Sequence, residues 1–82
     1  MKPTEKEVFD QVAAILSDVL DIPTEAITRE TSPDTTDSWD SIRHLNVVMA
    51  IEEEFSIVLT PEEQIEMLSA GLIADLLLDK LS

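Results

Sequence analysis

The sequence has no cysteine and only one glycine, Gly71. Without cysteine the chain forms no disulfide, no thiolate zinc site and no cysteine nucleophile, so any thiol chemistry has to come from an added group. One glycine and four prolines are too few for a succession of tight β-turns, which argues against a β-meander. No uncharged apolar run reaches the length of about eighteen residues that a membrane span requires, and we expect no membrane insertion.

Basic residues are also scarce, since five stand against eighteen acidic residues in a chain of 82, for a formal charge of −13. Such a surface repels nucleic acid and favours basic protein partners. The 44% share of hydrophobic residues is nevertheless too high for a disordered chain. The polar stretch Met1–Asp10 has no signal-peptide pattern. We expect one monomeric, cytoplasmic domain over residues 1–82, which is too small for a deep catalytic cleft and is not an enzyme.

Apolar residues recur at three- and four-residue spacing, which predicts an all-α fold: a four-helix bundle of three longer helices and one short helix, with a long loop between the first and second helices. Thr4 and Glu7 form a capping box that places the first helix start at Thr4. This helix should end near Leu20, because Pro23 cannot continue it. Its predicted inner face comprises Val8, Val12, Ile15, Leu16 and Val19.

The predicted loop Asp21–Asp40 is rich in Thr, Ser, Asp and Pro, which form local hydrogen bonds in non-helical conformations. A loop of this length in a small domain is usually functional or pinned by apolar anchors. We therefore expect Ile22 and Ile27 to be buried.

The second helix is predicted to open at Asp40 or Ser41, with the Asp40 side chain as its cap, and to run to about Glu54. Its apolar residues follow helical spacing, and we expect them to form an inner stripe. The members of that predicted stripe are Ile42, Leu45, Val48, Met49 and Phe55.

Thr60, Pro61 and Glu63 combine a cap, a first-turn proline and a capping-box glutamate, which predicts a short helix ending near Met67. The last helix should start at Ser69. Its predicted stripe consists of Ala70, Ile73, Ala74, Leu77 and Leu81, and is broadened toward full burial by Leu72, Leu76 and Leu78.

The segment Asp37–Ile42 delivers a serine, Ser41, to the first turn of an apolar helix. A phosphate on Ser41 would lie where free N–H groups and the positive end of the helix dipole converge, which stabilises an anion by up to about 2 kcal/mol. Ser41 is therefore suited to carry a phosphodiester. The alternative from the residues alone is that Asp40 and Ser41 only cap the helix.

The run Asp40-Ser41-Ile42, followed by Val48-Met49-Ala50-Ile51-Glu52-Glu53-Glu54-Phe55, resembles the acyl carrier protein family over essentially the whole chain. The resemblance implies that Ser41 carries 4′-phosphopantetheine, donated from coenzyme A by a Mg²⁺-dependent phosphopantetheinyl transferase that docks on Asp40 and Ser41. The cargo would be an acyl, aminoacyl or polyketide intermediate held as a thioester. Partners would be that transferase, a loading ligase, and downstream synthases or transferases.

Two serines have the Asp-Ser-apolar form, Ser38 and Ser41. The family register selects Ser41, because Ser38 would shift every following apolar position by three residues. Trp39 should pack the loop against the helix start rather than bind a ligand. His44 is expected on the surface, partly exposed, beside the prosthetic group.

The turns after Ser41 depart from the acidic pattern of fatty-acid-type carriers, since they carry Arg43, His44 and Asn46. A cation at this place repels enzymes that use basic patches, which favours a specialised carrier similar to those of polyketide, nonribosomal or surface-glycan pathways. An apolar cargo would be sheltered between the second and last helices by Leu45, Met49, Ile65 and Leu76. The candidate partner-binding residues are Ile42, Arg43, Asn46, Val47, Glu52 and Glu53.

Two other functions remain open from the residues. An acidic helical adaptor would bind a basic partner without covalent chemistry, with Ser41 as a cap alone. A hydrolase would use Asp40, Ser41 and His44, although Asp40 already serves as cap and no second loop offers an oxyanion hole. We expect no dedicated metal site, because the chain has no calcium-loop pattern.

Overall fold

The computed structural model describes residues 3–81, and this part of the chain contains helices and no strand. Its four α-helices are α1 (Glu5–Leu20), α2 (Ser41–Phe55), α3 (Pro61–Glu66) and α4 (Ala70–Lys80). A single 3₁₀ turn, Thr24–Ala26, interrupts the loop between α1 and α2. The prediction of an all-α bundle with three longer helices, one short helix and a long first loop is confirmed.

All four α-helices begin where the sequence signals place them, because each N-cap side chain accepts a backbone N–H of the first turn. These caps are Thr4, Asp40, Thr60 and Ser69. Thr4 and Thr60 each form a complete capping box with the glutamate three residues later. Such caps satisfy N–H groups that have no partner within the helix, so the starts depend on local sequence alone.

The ends of α1 and α2 use a left-handed residue that is not glycine. Asp21 has φ 57° and Ser56 has φ 54°, in the region where helices usually place glycine. At each cap the backbone N–H donates to a carbonyl four residues back, Ser17 for Asp21 and Glu52 for Ser56. The single glycine therefore serves another purpose.

Helix α1 is the centre of the bundle, because it packs against both α2 and α4. Val12 and Leu16 of α1 are fully buried, and the loop contributes Ile27 and Trp39 to the same core. Ile22 packs against this core but is only half-buried. The prediction that the loop is held down by apolar anchors is thus confirmed for Ile27, and in part for Ile22. The buried residues of α1 are Val8, Val12, Ala13, Leu16 and Leu20.

The predicted inner stripe of α2 is largely wrong. Ile42, Leu45 and Met49 are exposed, and the buried residues of the helix are Val47, Val48 and Ile51. Helix α2 carries apolar residues on two faces. The contact with α1 buries the face that contains Val47, Val48 and Ile51. Of the predicted stripe, Val48 is buried and Phe55 is partly buried against the core.

Helix α4 buries one face rather than its whole circumference. Leu72 is exposed, while Leu76 and Leu78 are half-buried, so the expectation of near-complete burial is wrong for these leucines. Leu81 is also only half-buried. The fully buried side of α4 consists of Ala70, Gly71, Ile73, Ala74 and Leu77.

Gly71 allows the first loop to pass close over the start of α4. The Gly71 N–H donates to the Arg29 carbonyl at 3.0 Å, and the Ala70 N–H donates to the Thr31 carbonyl at 2.8 Å. A Cβ at position 71 would lie 3.0 Å from both the Cβ and the carbonyl oxygen of Arg29. The Arg29 guanidinium then reaches Asp75, one turn along α4, at 2.9 Å.

Helix α3 has no buried residue of its own and is fastened by polar contacts. The Lys80 ammonium of α4 donates to both carboxylate oxygens of Glu63, at 2.9 and 3.0 Å. The Thr60 N–H donates to the same carboxylate. The Thr60 N–H first, and then Lys80, lower the pKa of Glu63 by stabilising its charged form.

Replacement of Gly71 by alanine should destabilise the protein by about 1 kcal/mol, because contact with Arg29 outweighs the gain of alanine in a helix. Urea unfolding would measure the free energy. The control is Ala14→Gly on an exposed site of α1. It measures the preference of a helix for alanine over glycine, and it should lower the free energy of unfolding by about 0.5–1 kcal/mol. A Gly71→Ala protein more stable than the parent would contradict the close approach.

Candidate functional site

Asp40, and not Ser41, caps α2. The Asp40 carboxylate accepts the Arg43 N–H at 2.8 Å, and the Asp40 carbonyl accepts the His44 N–H at 2.8 Å. Ser41 is the first residue of the helix and is exposed. None of the side-chain hydrogen bonds found among residues 3–81 uses the Ser41 hydroxyl. The helix start is therefore complete without that hydroxyl.

An open groove of about 660 Å³ lies beside Ser41, between the start of α2 and α3. Met67 is buried, while Ile65 and Leu68 are exposed apolar residues. Asp40 and His44 are the titratable groups on its walls. The full lining is Pro33, Trp39, Asp40, Ser41, His44, Pro61, Gln64, Ile65, Met67 and Leu68.

This groove differs from the predicted cargo shelter between the second and last helices. Of the four residues predicted to line that shelter, Ile65 lines the groove and Leu45, Met49 and Leu76 do not. Leu45 and Met49 instead lie on the exposed face of α2. The candidate cavity therefore lies between α2 and α3, and not between α2 and α4 as predicted.

Trp39 packs the loop against the helix start, as predicted, and is 3% exposed. Its indole Nε1–H donates to His44 Nδ1 at 3.0 Å, and the two rings stack with centroids 6.1 Å apart. The other imidazole nitrogen of His44 lies 3.1 Å from the Gln64 carbonyl oxygen of α3. His44 is half-buried, in agreement with the partial exposure expected from the sequence. Its hydrogen bonds on both sides of the ring were not predicted.

This arrangement does not support a hydrolytic triad. Both ring nitrogens of His44 bond to groups other than Ser41, and the Asp40 carboxylate bonds to the helix backbone. A general base must hold its nucleophile within hydrogen-bond reach. Asp40, Ser41 and His44 are neighbours, but their side chains do not form the hydrogen bonds that a hydrolytic triad requires.

The predicted partner-binding residues fall into three groups. Ile42, Asn46 and Glu53 are exposed, and Ile42 retains 72% of its accessible surface. Val47 is 0% exposed, so its prediction as a partner contact is wrong: it lies on the core side of α2. Arg43 is half-buried and lines a separate pocket under the first loop.

Glu52 is also half-buried, and it has a structural contact. Its carboxylate accepts the Leu59 N–H at 2.9 Å. Leu59 is buried, so this bond fastens the segment between α2 and α3 to the end of α2.

An apolar surface lies on the exposed side of α2, and of its residues only Ile42 was predicted as a partner contact. Ile42, Leu45 and Met49 follow one another at spacings of three and four residues and all remain in solvent. We call these three residues the α2 stripe. The signal was visible, since α2 has more apolar residues than one helix face can bury, but helical spacing does not say which face meets the core.

The described residues 3–81 include no group of three or more metal-ligating side chains able to hold an ion. Within the same residues no helix has the length and apolar character needed to cross a bilayer.

The fold is similar to the solved structure of the acyl carrier protein from Enterococcus faecalis. The two share 26% sequence identity with a TM-score of 0.74, and the similarity covers 98% of this chain and 100% of the other. This chain has the acyl carrier protein fold. The fold is that of a carrier protein and not of an enzyme, which agrees with the family resemblance. No protein-family model matches the chain.

The roles of Asp40 and Ser41 in this carrier fold can be separated by two alanine variants. Asp40→Ala should lower the free energy of unfolding by about 1 kcal/mol, because it removes the helix cap. Ser41→Ala should change the free energy of unfolding by less than about 0.5 kcal/mol, because the Ser41 hydroxyl takes no part in the helix cap. Urea unfolding of both variants checks the difference, and a larger loss for Ser41→Ala than for Asp40→Ala would show that Ser41 is structural.

Proposed function

We propose that this protein, as one carrier domain over residues 1–82, carries 4′-phosphopantetheine on Ser41 and holds an acyl, aminoacyl or polyketide intermediate as a thioester on that group. The observation that carries the proposal is the exposed Ser41 hydroxyl, which lies in the first turn of α2 while Asp40 does the capping. Because the Ser41 hydroxyl takes no part in capping the helix, it is available for modification.

The residues around Ser41 fit a phosphodiester arm. The first turn of α2 presents N–H groups and the positive end of the helix dipole to a phosphate on Ser41. The neighbouring groove offers an apolar wall to the arm or to the cargo near it, chiefly from the exposed side chains of Ile65 and Leu68. When attached, the group supplies the thiol that the chain lacks, together with the reach to bring cargo to separate enzymes.

The α2 stripe and its flanking residues form the surface that we propose for partners. Ile42 next to Ser41 and Asn46 one turn on are exposed, and Glu53 supplies an acidic end. An apolar centre with a charged margin is the usual composition of a protein interface. The partners would be a phosphopantetheinyl transferase, a loading ligase and downstream synthases or transferases.

We further propose that the carrier is specialised and acts in the cytoplasm. The first turn and a half of α2 contains the cation Arg43 and the amide Asn46. The family resemblance implies that fatty-acid-type carriers are acidic at this place. A partner with a basic patch at this place would meet repulsion from Arg43. Polyketide, nonribosomal and surface-glycan pathways are the candidate settings, with fatty-acid synthesis disfavoured by the same charge.

Intact-mass measurement tests the attachment. The protein is incubated with coenzyme A, Mg²⁺ and a broad-specificity phosphopantetheinyl transferase, beside its Ser41→Ala and Ser38→Ala variants. We expect one added phosphopantetheine on the parent and on Ser38→Ala, and none on Ser41→Ala. Ser38 is the matched control because it follows an aspartate in the same loop and precedes an apolar residue.

Failure of every transferase tried on the folded protein would favour the acidic adaptor. That function needs no hydroxyl at position 41, so Ser41→Ala would keep its basic partner. Loss of the modification in Ser38→Ala alone would instead move the attachment site three residues back.

A further inference from the structure

The partners of His44 fix its protonation state. An indole N–H can only donate, so the Trp39 contact at 3.0 Å requires an unprotonated His44 Nδ1. A backbone carbonyl can only accept, so the Gln64 contact at 3.1 Å requires a proton on Nε2. The geometry therefore selects the neutral imidazole with its hydrogen on Nε2. A doubly protonated ring could keep the Gln64 bond but not the Trp39 bond.

These two bonds join three segments around the groove. Trp39 belongs to the last turn of the first loop, His44 to α2 and Gln64 to α3. Trp39 is almost completely buried, so its indole N–H has little access to water if His44 stops accepting it. The segment that Trp39 anchors leads directly through Asp40 to Ser41.

The charged surroundings of His44 come from each element near it. On α2 the nearest charges in sequence are those of the cap residue Asp40 and of Arg43, and Asp40 also lines the same groove. On α3, Glu63 is already bonded to Lys80. The other carboxylates within two residues of Trp39 or Gln64 are Asp37 in the loop, and Glu62 and Glu66 on α3.

We propose that His44 is a proton-sensitive clasp: the neutral ring fastens Trp39 to α2 and α3, and protonation of Nδ1 releases Trp39 and the loop segment that leads into Ser41. His44 is a positioning residue, since it acts on Ser41 through Trp39 and does not contact the serine. The consequence for loading of Ser41 rests on the proposed carrier function. The clasp itself does not.

Nuclear magnetic resonance of the untagged protein tests the clasp directly, because the chain has one tryptophan and one histidine. At about pH 8 the imidazole ¹⁵N signals should report the Nε2–H tautomer. Between about pH 8 and pH 5, the interval in which imidazole side chains change charge, the indole N–H signal should move together with the imidazole signals. Its exchange with solvent should accelerate about fivefold, the factor expected for the net loss of one hydrogen bond.

His44→Gln is the matched control. A glutamine amide also offers one acceptor and donors, so it can receive the Trp39 N–H and donate to Gln64, but it does not titrate. The indole signal of this variant should stay in place over the same pH interval. If His44→Gln does not fold, Trp39→Phe serves instead. Its His44 should keep the Nε2–H tautomer through the Gln64 carbonyl, while the Nδ1 signal should shift from its position in the parent because no indole N–H donates to it; an unshifted Nδ1 signal would contradict the Trp39 bond. An Nδ1–H tautomer in the parent, or an equal pH response in His44→Gln, would overturn the clasp.

The effect on Ser41 is measured as the rate of phosphopantetheine transfer to the parent divided by that to His44→Gln, so that the pH response of the transferase cancels. We expect this ratio to change about fivefold as the clasp opens. A constant ratio beside an opening clasp would overturn the positioning role. Absence of transfer to both proteins at every pH would contradict the carrier function, and the indole measurement alone would then decide on the clasp.

Discussion

The hydrogen bond from the Arg43 N–H to the Asp40 carboxylate determines where α2 begins, and the site depends on that beginning. Because the Asp40 carboxylate accepts a first-turn N–H, Ser41 enters the helix as an exposed residue whose hydroxyl takes no part in the cap. Shifting the start by one residue would rotate the serine by about 100° around the helix axis. The same bond thus sets both the secondary structure and the direction in which an attached group would leave the bundle.

The helix starts could be predicted from the sequence because their causes are local. Thr4, Thr60 and Ser69 each find a backbone N–H three residues ahead, whatever the rest of the chain does. Ser41 is predicted as the attachment site from its position after a capping aspartate and from the family resemblance. These predictions required no knowledge of which elements touch one another.

The tertiary contacts could not be predicted in the same way. Ile42 and Val47 both continue a helical apolar pattern, yet only Val47 faces α1, because the packing of two helices selects between faces. The role of Gly71 depends on Arg29, which lies far away in sequence. His44 likewise bonds to Gln64 across the groove, and nothing within α2 signals that partner.

The arrangement around Ser41 combines a rigid support with an open surface. Trp39 and His44 hold the loop end in the core beside the serine, while the α2 stripe remains exposed next to it. Exposed apolar residues that follow one helix face are unfavourable in water unless a partner covers them. A carrier that visits several enzymes benefits from such a surface, because each contact is temporary and the folded state does not depend on it.

The most direct test of the account is fragmentation mass spectrometry of the intact protein purified from its own cells. We expect phosphopantetheine, free or bearing cargo, on the fragment that contains Ser41 and on no other. A protein that is unmodified at Ser41 in actively growing cells, or modified at another residue, would contradict it.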